Sequence, residues 1–365
     1  MNTKKNILYI GQYKDNSGLG ESCRRFVDCF IESGHNLSLR PIYVTSNSMT
    51  PYINLEEHEQ FENNTYKKYD IIIQHMFPEY MEYNHSFGKN IGIANIETMN
   101  IKHSGWIDKL NFMDEIWTGS YFSAESMTNS GVTKPIKIVP EPYKIDRSKI
   151  DPFFSYKNTE EHKPYVFYTI GSYTEKHNIK NILMSFLMEF NKNDNVRLFI
   201  KTSHPGQKND DLENIIKFDI QNIKNIIRKP YSQYPDIDVL CGILSRKDIN
   251  RLHKSCNCYV NAVMSDGFGA SAIEAALYDN LVITTKNIGS STYFNSSNAL
   301  MIDSEQTTTY SSFTNIKNIY TTNEYWYSPL INDIRNQMKT AYNDQHATTF
   351  LNEQIFAYQN VHGII

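Results

Sequence analysis

Short, continuously apolar runs alternate along the first half of the chain with longer segments whose apolar residues recur every three or four positions. The run Ile7-Leu8-Tyr9-Ile10 reads as a buried strand. Ser17-Gly18-Leu19-Gly20-Glu21 then opens a helical pattern that passes through Phe26 and Phe30 and stops at Gly34. Further strands are predicted at 37–44, 70–75, 91–95, 114–118 and 136–139. The third strand of the chain, Asp70-Ile71-Ile72-Ile73-Gln74-His75, has a continuous apolar centre, as expected of a strand buried on both faces. Strands separated by helices in this rhythm imply right-handed crossovers and a parallel sheet.

The rhythm breaks at 151–164, a polar stretch with two prolines that reads as an interdomain connection. A second series follows, with strands predicted at 165–171, 196–201, 239–241, 258–260 and 281–284 and helices at 181–190, 212–227, 246–255 and 270–278. The tail carries amphipathic spacing at 331–342 and 349–358, and the Thr-, Ser- and Asn-rich stretch 307–320 reads as an irregular surface loop. The pattern therefore predicts two open α/β units facing a cleft, with ligands bound beyond the carboxyl ends of the strands.

Composition agrees and excludes some classes. The 365 residues are 40% hydrophobic, 13% aromatic and 21% charged, which describes a folded chain long enough for two cores. The net charge of −4 argues against a protein held to nucleic acid by backbone electrostatics alone. Five scattered cysteines form no disulfide framework, and Cys256-x-Cys258 lacks the second pair of a zinc site. The first apolar run is too short for a signal segment, and no stretch approaches the roughly 18–20 apolar residues of a spanning helix, so a cytoplasmic location is expected.

The most informative stretch is Ser265-Asp266-Gly267-Phe268-Gly269-Ala270-Ser271-Ala272-Ile273-Glu274-Ala275-Ala276. It reads as a strand end, an acidic residue, a Gly-x-Gly turn and a helix start. Two glycines let the backbone pass close under a ligand, and the N–H groups of the first helical turn form an anion site. Glu274, about one turn into that helix, has two readings. Its carboxylate can accept two hydrogen bonds from a vicinal diol such as ribose, or it can simply complement the helix dipole.

This pattern resembles the donor-binding signature of the retaining glycosyltransferases of family 4 (glycosyl transferases group 1), usually Glu-Gly-Phe-Gly-x-x-x-x-Glu-Ala. Here Asp266 stands for the first Glu, followed by Gly267-Phe268-Gly269 and then Glu274-Ala275. Gly171-Ser172-Tyr173-Thr174-Glu175-Lys176-His177-Asn178 resembles the family's loop that sets an Arg and a Lys against the donor diphosphate. Lys176 matches the Lys, and Ser172 occupies the place of the Arg. Lys201, where relatives turn through glycines, offers a second charge; either Lys read alone is equally a solvated surface charge. Asn16-Ser17-Gly18-Leu19-Gly20-Glu21 resembles the glycine loop after the first strand, and Asn95-Ile96-Glu97-Thr98 and Val139-Pro140-Glu141-Pro142 follow the family's acceptor domain. Family members place a His near the end of the third strand, close to the donor sugar. His75 stands there, and a structural role in the core fits it as well.

The resemblance implies a GT-B fold of two Rossmann-like domains. Residues 1–155 would form the acceptor domain, with a crossover helix at about 346–365, and residues 160–345 the donor domain. It implies sugar transfer with retention from a UDP- or GDP-linked donor to the hydroxyl of a glycan, lipid-linked or other acceptor, without a required metal, in the cytoplasm or at the inner membrane face. In that reading Lys176 and Lys201 hold the diphosphate, Glu274 holds the ribose, and Asp266 contacts the sugar beside His75. Gly18, Gly20, Gly171, Phe268, Gly269, Ala270 and Ser271 line the donor site. Other readings are a non-catalytic sugar-nucleotide-binding protein, a glycosyltransferase acting on DNA bases, and a dinucleotide-dependent oxidoreductase, for which residues 11–24 give a poor fingerprint.

Overall fold

In the computed structural model, residues 4–43, 53, 56–144, 150–154, 163–204, 206–309 and 320–364 are described. The chain forms two compact units. One comprises Met1–Lys144, Thr308–Tyr325 and Asn352–Ile365; the other comprises Ile145–Thr307 and Trp326–Leu351.

The first unit holds a six-stranded sheet in the order β2-β1-β3-β4-β5-β6, with every neighbouring pair parallel. Its strands are β1 (Asn6–Gly11), β2 (Asn36–Pro41), β3 (Ile71–His75), β4 (Lys89–Ile93), β5 (Glu115–Thr118) and β6 (Ile136–Ile138). Its helices are α1 (Gly18–Glu32), α2 (Glu56–Glu62), α3 (Trp106–Phe112), α4 (Tyr121–Ser130) and the C-terminal α10 (Tyr358–His362). Every residue of β3 is buried, which explains why its sequence is a near-continuous apolar run. One face of the sheet packs Ile7, Tyr9, Ile73 and Trp117 against Phe26 and Phe30 of α1 and Val361 of α10. The other packs Ile116 against Trp106, Leu110 and Met127 of α3 and α4.

The second unit holds a six-stranded sheet in the order β12-β11-β10-β7-β8-β9, again parallel throughout. Its strands are β7 (Tyr165–Ser172), β8 (Val196–Ser203), β9 (Asp236–Cys241), β10 (Cys258–Asn261), β11 (Leu281–Thr285) and β12 (Leu300–Ile302). Helices α5 (Ile179–Glu189), α6 (Asn209–Ile227) and α9 (Ile331–Asn343) belong to one face, where Phe186, Ile223 and Met338 pack on Phe167, Leu198 and Ile200. Helices α7 (Arg246–Ser255) and α8 (Ala270–Leu277) serve the other. Read from β9 inward, strands follow one another in sequence to β7, and the order then reverses at β10. Loops leaving β7 and β10 diverge at that point, the crevice where open parallel sheets bind ligands.

Local chemistry sets the helix ends. Ser17 caps α1 by accepting from the Gly20 N–H at 3.2 Å, Ser120 caps α4 through the Ser123 N–H, and Ser245 caps α7 through the Asp248 N–H. The structure differs from the sequence pattern in several places, beginning with β12, which the pattern does not predict. No single helix spans 349–358: Asn352 accepts from the Gln354 N–H, a short 3-10 turn covers Glu353–Phe356, and extended Ala357 separates it from α10. A side chain that offers the backbone a local turn competes with helix there. In the stretch expected to be loop, 307–320, the first two residues close β13 (Ser304–Thr308), which pairs with β14 (Tyr325–Pro329), while 310–319 lie outside the described residues. Of the expected connection, 155–162 lie outside the described residues, and before them the chain packs on the second unit: the Phe153 N–H donates to Ser255 Oγ at 2.6 Å, and Phe154 lies 5.3 Å from the Phe199 ring.

Candidate functional site

The loop after β7 is built for close approach. A Cβ on Gly171 would meet the His177 ring at 2.6 Å, so only glycine lets that ring fold over the strand end. His177 Nδ1 pairs with Thr174 Oγ1 at 2.8 Å. Asn178 adopts a left-handed conformation at φ 56°, and its side-chain amide donates to the Ala262 carbonyl at 3.0 Å. The Lys176 carbonyl accepts from the Met264 N–H at 2.8 Å. The Lys176 loop is thereby tied to the segment that leaves β10, and both flank the strand-order reversal. Lys201 lies one strand farther, in register with Ile170 of β7 and Leu240 of β9. Burial holds its ammonium below the usual lysine range.

The segment after β10 is held to the turn after β11. Asp266 Oδ1 accepts from the Ser290 N–H at 2.8 Å, Oδ2 accepts from Asn261 Nδ2 at 3.3 Å, and the Asp266 carbonyl accepts from the Gly289 N–H at 3.0 Å. Asn261 Nδ2 also donates to Thr284 Oγ1, which pairs with Ser290 Oγ at 3.1 Å. Two glycines make this contact possible. A Cβ on Gly269, whose φ is +88°, would lie 2.4 Å from Ser290 Cβ, and one on Gly289 would lie 2.5 Å from the Gly267 carbonyl carbon. Phe268 is buried, edge-on to Tyr293 at 5.5 Å. Gly269 is the residue before α8, and partly exposed Ala270 and Ser271 form its first turn.

Glu274, in the middle of α8, is 3% exposed, too deep merely to complement a helix dipole from solvent. Its Oε1 receives Arg246 at 3.0 Å and its Oε2 faces His253 Nε2 at 3.4 Å. His253 is wholly buried, with Nδ1 at 2.7 Å from the Tyr168 hydroxyl and its ring stacked on Tyr278 at 5.5 Å. Asn280 Nδ2 donates both to that hydroxyl at 2.9 Å and to the His253 carbonyl at 2.8 Å. Sequence reasoning missed Arg246 and His253. Their signal was their spacing: seven residues apart, they fall on one stripe of α7.

In the first unit the sheet order reverses at β1 and β3, and Gly18, Gly20 and His75 stand beside that reversal. Gly20 is confined: a Cβ there would lie 2.0 Å from the Asp15 carbonyl oxygen, whereas one on Gly18 would meet open space. Arg24 closes the turn by donating to the carbonyls of Tyr13 and Asp15 at 2.9 and 2.6 Å. His75 is 1% exposed, with Nδ1 against the Tyr9 hydroxyl at 2.9 Å, Nε2 against Ser22 Oγ at 3.4 Å, and Phe26 edge-on at 5.3 Å. Burial lowers its imidazole pKa to about 3. Glu97 accepts from the Tyr320 hydroxyl. Glu141 pairs with Arg25 at 2.6 Å, and that guanidinium stacks over the Tyr143 ring at 4.6 Å.

Among the described residues, no group of three or more His, Cys, Asp and Glu side chains is placed to hold a metal ion, and no helix is long and apolar enough to cross a membrane.

No protein-family profile matches the chain, and no curated protein matches it. Solved structures do. Anabaena Alr3699/HepE, in complex with UDP and glucose, is similar over 99% of this chain and 95% of its own, with a TM-score of 0.56 and 11% identity. Sucrose-phosphate synthase from Thermosynechococcus elongatus is similar over 99% of this chain and 97% of its own, with a TM-score of 0.64 and 12% identity. The apo structure of OtsA is similar over 80% of this chain and 71% of its own, with a TM-score of 0.51 and 8% identity. Likeness at these identities establishes architecture: the chain has the α/β GT-B fold, with a parallel six-stranded sheet in each of its two domains.

Proposed function

We propose that this chain is a glycosyltransferase that moves a sugar, with retention of configuration, from a UDP- or GDP-linked donor to an acceptor hydroxyl in glycan synthesis. One observation carries the reading: the Lys176 loop and the Asp266–Gly269 turn flank the strand-order reversal of the second unit, and α8 starts directly from that turn. A leaving diphosphate needs cations and N–H groups fixed before charge develops. Lys176, Lys201, Gly269 and the first turn of α8 at Ala270 and Ser271 supply them. Glu274 takes the ribose hydroxyls, and the Phe268–Gly269 backbone takes hydroxyls of the sugar. His75, with both ring nitrogens engaged inside the first unit, acts by shaping the strand end and transfers no proton in this scheme. The solved structure of a similar fold with UDP and glucose bound supports a sugar nucleotide as the donor.

Purified protein should be titrated with UDP- and GDP-sugars, and the released nucleoside diphosphate measured with and without sugar acceptors. Donor binding with turnover supports the proposal. The absence of any nucleotide-dependent stabilisation sinks it. A second reading, a sugar-nucleotide-binding protein without turnover, is favoured by one feature: both Asp266 oxygens already accept from protein groups. Tight binding with neither transfer nor donor hydrolysis would select it.

A further inference from the structure

The network around Glu274 has a direction. Asn280 Nδ2 donates to the Tyr168 oxygen, so the phenol hydrogen is left to point at His253 Nδ1. A neutral His253 then carries its ring hydrogen on Nε2, aimed at Glu274 Oε2. Arg246 approaches the other oxygen from the first turn of α7. One carboxylate, almost completely withdrawn from water, is thus held on each oxygen by a different donor. A buried carboxylate deprived of a cation takes up a proton or loses its orientation. A protonated acid no longer offers two acceptor oxygens.

We propose that Arg246 and His253 are positioning residues that hold Glu274 charged and in one orientation, so that both its oxygens are presented to the vicinal hydroxyls of a nucleotide ribose. The inference rests on the donor reading of Glu274 above and deepens it. His253 is the fixed member, at 0% exposure and locked by Tyr168, Tyr278 and Asn280. Arg246 is the outer member, with its side chain 38% exposed, and it supplies the charge. Neither touches the reacting atoms in this role. Their effect is read through the ribose.

The test is calorimetric titration of the full chain with UDP and with 2′-deoxy-UDP, and likewise with GDP and 2′-deoxy-GDP. The wild type is expected to prefer the ribose form by about tenfold, the size of a hydrogen bond to a charged group. R246Q should lower that preference toward unity while changing affinity for the deoxy form by less than about twofold. R246K, which keeps charge but not the planar fork, should fall between them. In the E274Q background, R246Q should add nothing, because the two act as one unit. An R246Q protein that keeps the wild-type ribose preference, or that weakens both ligands by the same factor, overturns the inference and leaves the donor reading standing. An R246K preference below that of R246Q overturns it too, and serves if R246Q melts early. Wild type that binds no nucleoside diphosphate removes the donor reading and this inference together.

Discussion

Lys201 shows how a residue's surroundings alter its chemistry. A lysine at a parallel-strand end reads from sequence as a surface charge, yet half-burial lowers its pKa. A bound diphosphate favours the charged form, so affinity should fall as pH rises through that lowered pKa, earlier than for a solvated lysine. Titration of UDP at rising alkaline pH should show this loss, and K201M should bind more weakly with the pH dependence flattened. Gly269 makes a second case. Its φ of +88° and its approach to Ser290 leave no room for a methyl group, so G269A should cost about 2 kcal/mol or more and abolish donor binding, checked by thermal melting and calorimetry. Both glycines of the Asp266–Gly269 turn were legible as a close backbone approach. What they approach, the Gly289–Ser290 turn some twenty residues onward, was not, because no local pattern encodes contact between two loops.

At the scale of elements, the positions of eleven of the twelve strands in the two large sheets followed from periodicity, because a parallel sheet covered on both faces writes continuous apolar runs into its strands, whereas β12 and helices α2, α3 and α4 were not placed. The C-terminal helix did not follow, since Asn352 and Ala357 break the amphipathic pattern locally. Capping is testable in the same terms. S17A removes the acceptor for the Gly20 N–H at the start of α1 and should lower stability by about 1 kcal/mol in chemical denaturation. Helix α7 illustrates a limit of reading by element. Its pattern announces an amphipathic helix with an exposed charged face, yet Arg246 and buried His253 turn two polar groups onto one carboxylate of α8. Which helix neighbours which is set by strand order, and strand order is not written in any single helix.

Across the whole molecule, acid stability should carry the mark of His75. An ordinary imidazole takes a proton near 6.5, whereas this one does so at about 3. The unfolded chain therefore binds the proton first, and stability is full above 6.5 and drains as pH falls toward 3. At about 1.4 kcal/mol per pH unit, the loss is on the order of 4–5 kcal/mol. H75Q should flatten this limb of the melting-temperature profile while lowering stability at neutral pH through its altered hydrogen bonds. Ligand should act on the second unit: at about 100 times its dissociation constant, a nucleoside diphosphate stabilises by about 2.7 kcal/mol. Hydrogen-exchange protection should then concentrate at 171–178 and 261–275.

The amino-acid sequence alone determined the α/β class, the two successive strand-helix series and the Gly-x-Gly turn before α8, because these depend on the periodicity and backbone freedom of consecutive residues. Tertiary structure alone decided the reversal of strand order between β7 and β10, the pinning of Asp266 to Ser290, the burial of His75, and the grip of Arg246 and His253 on Glu274. Each of those joins residues distant in the chain, and burial and charge compensation exist only once the intervening sheet has brought them together.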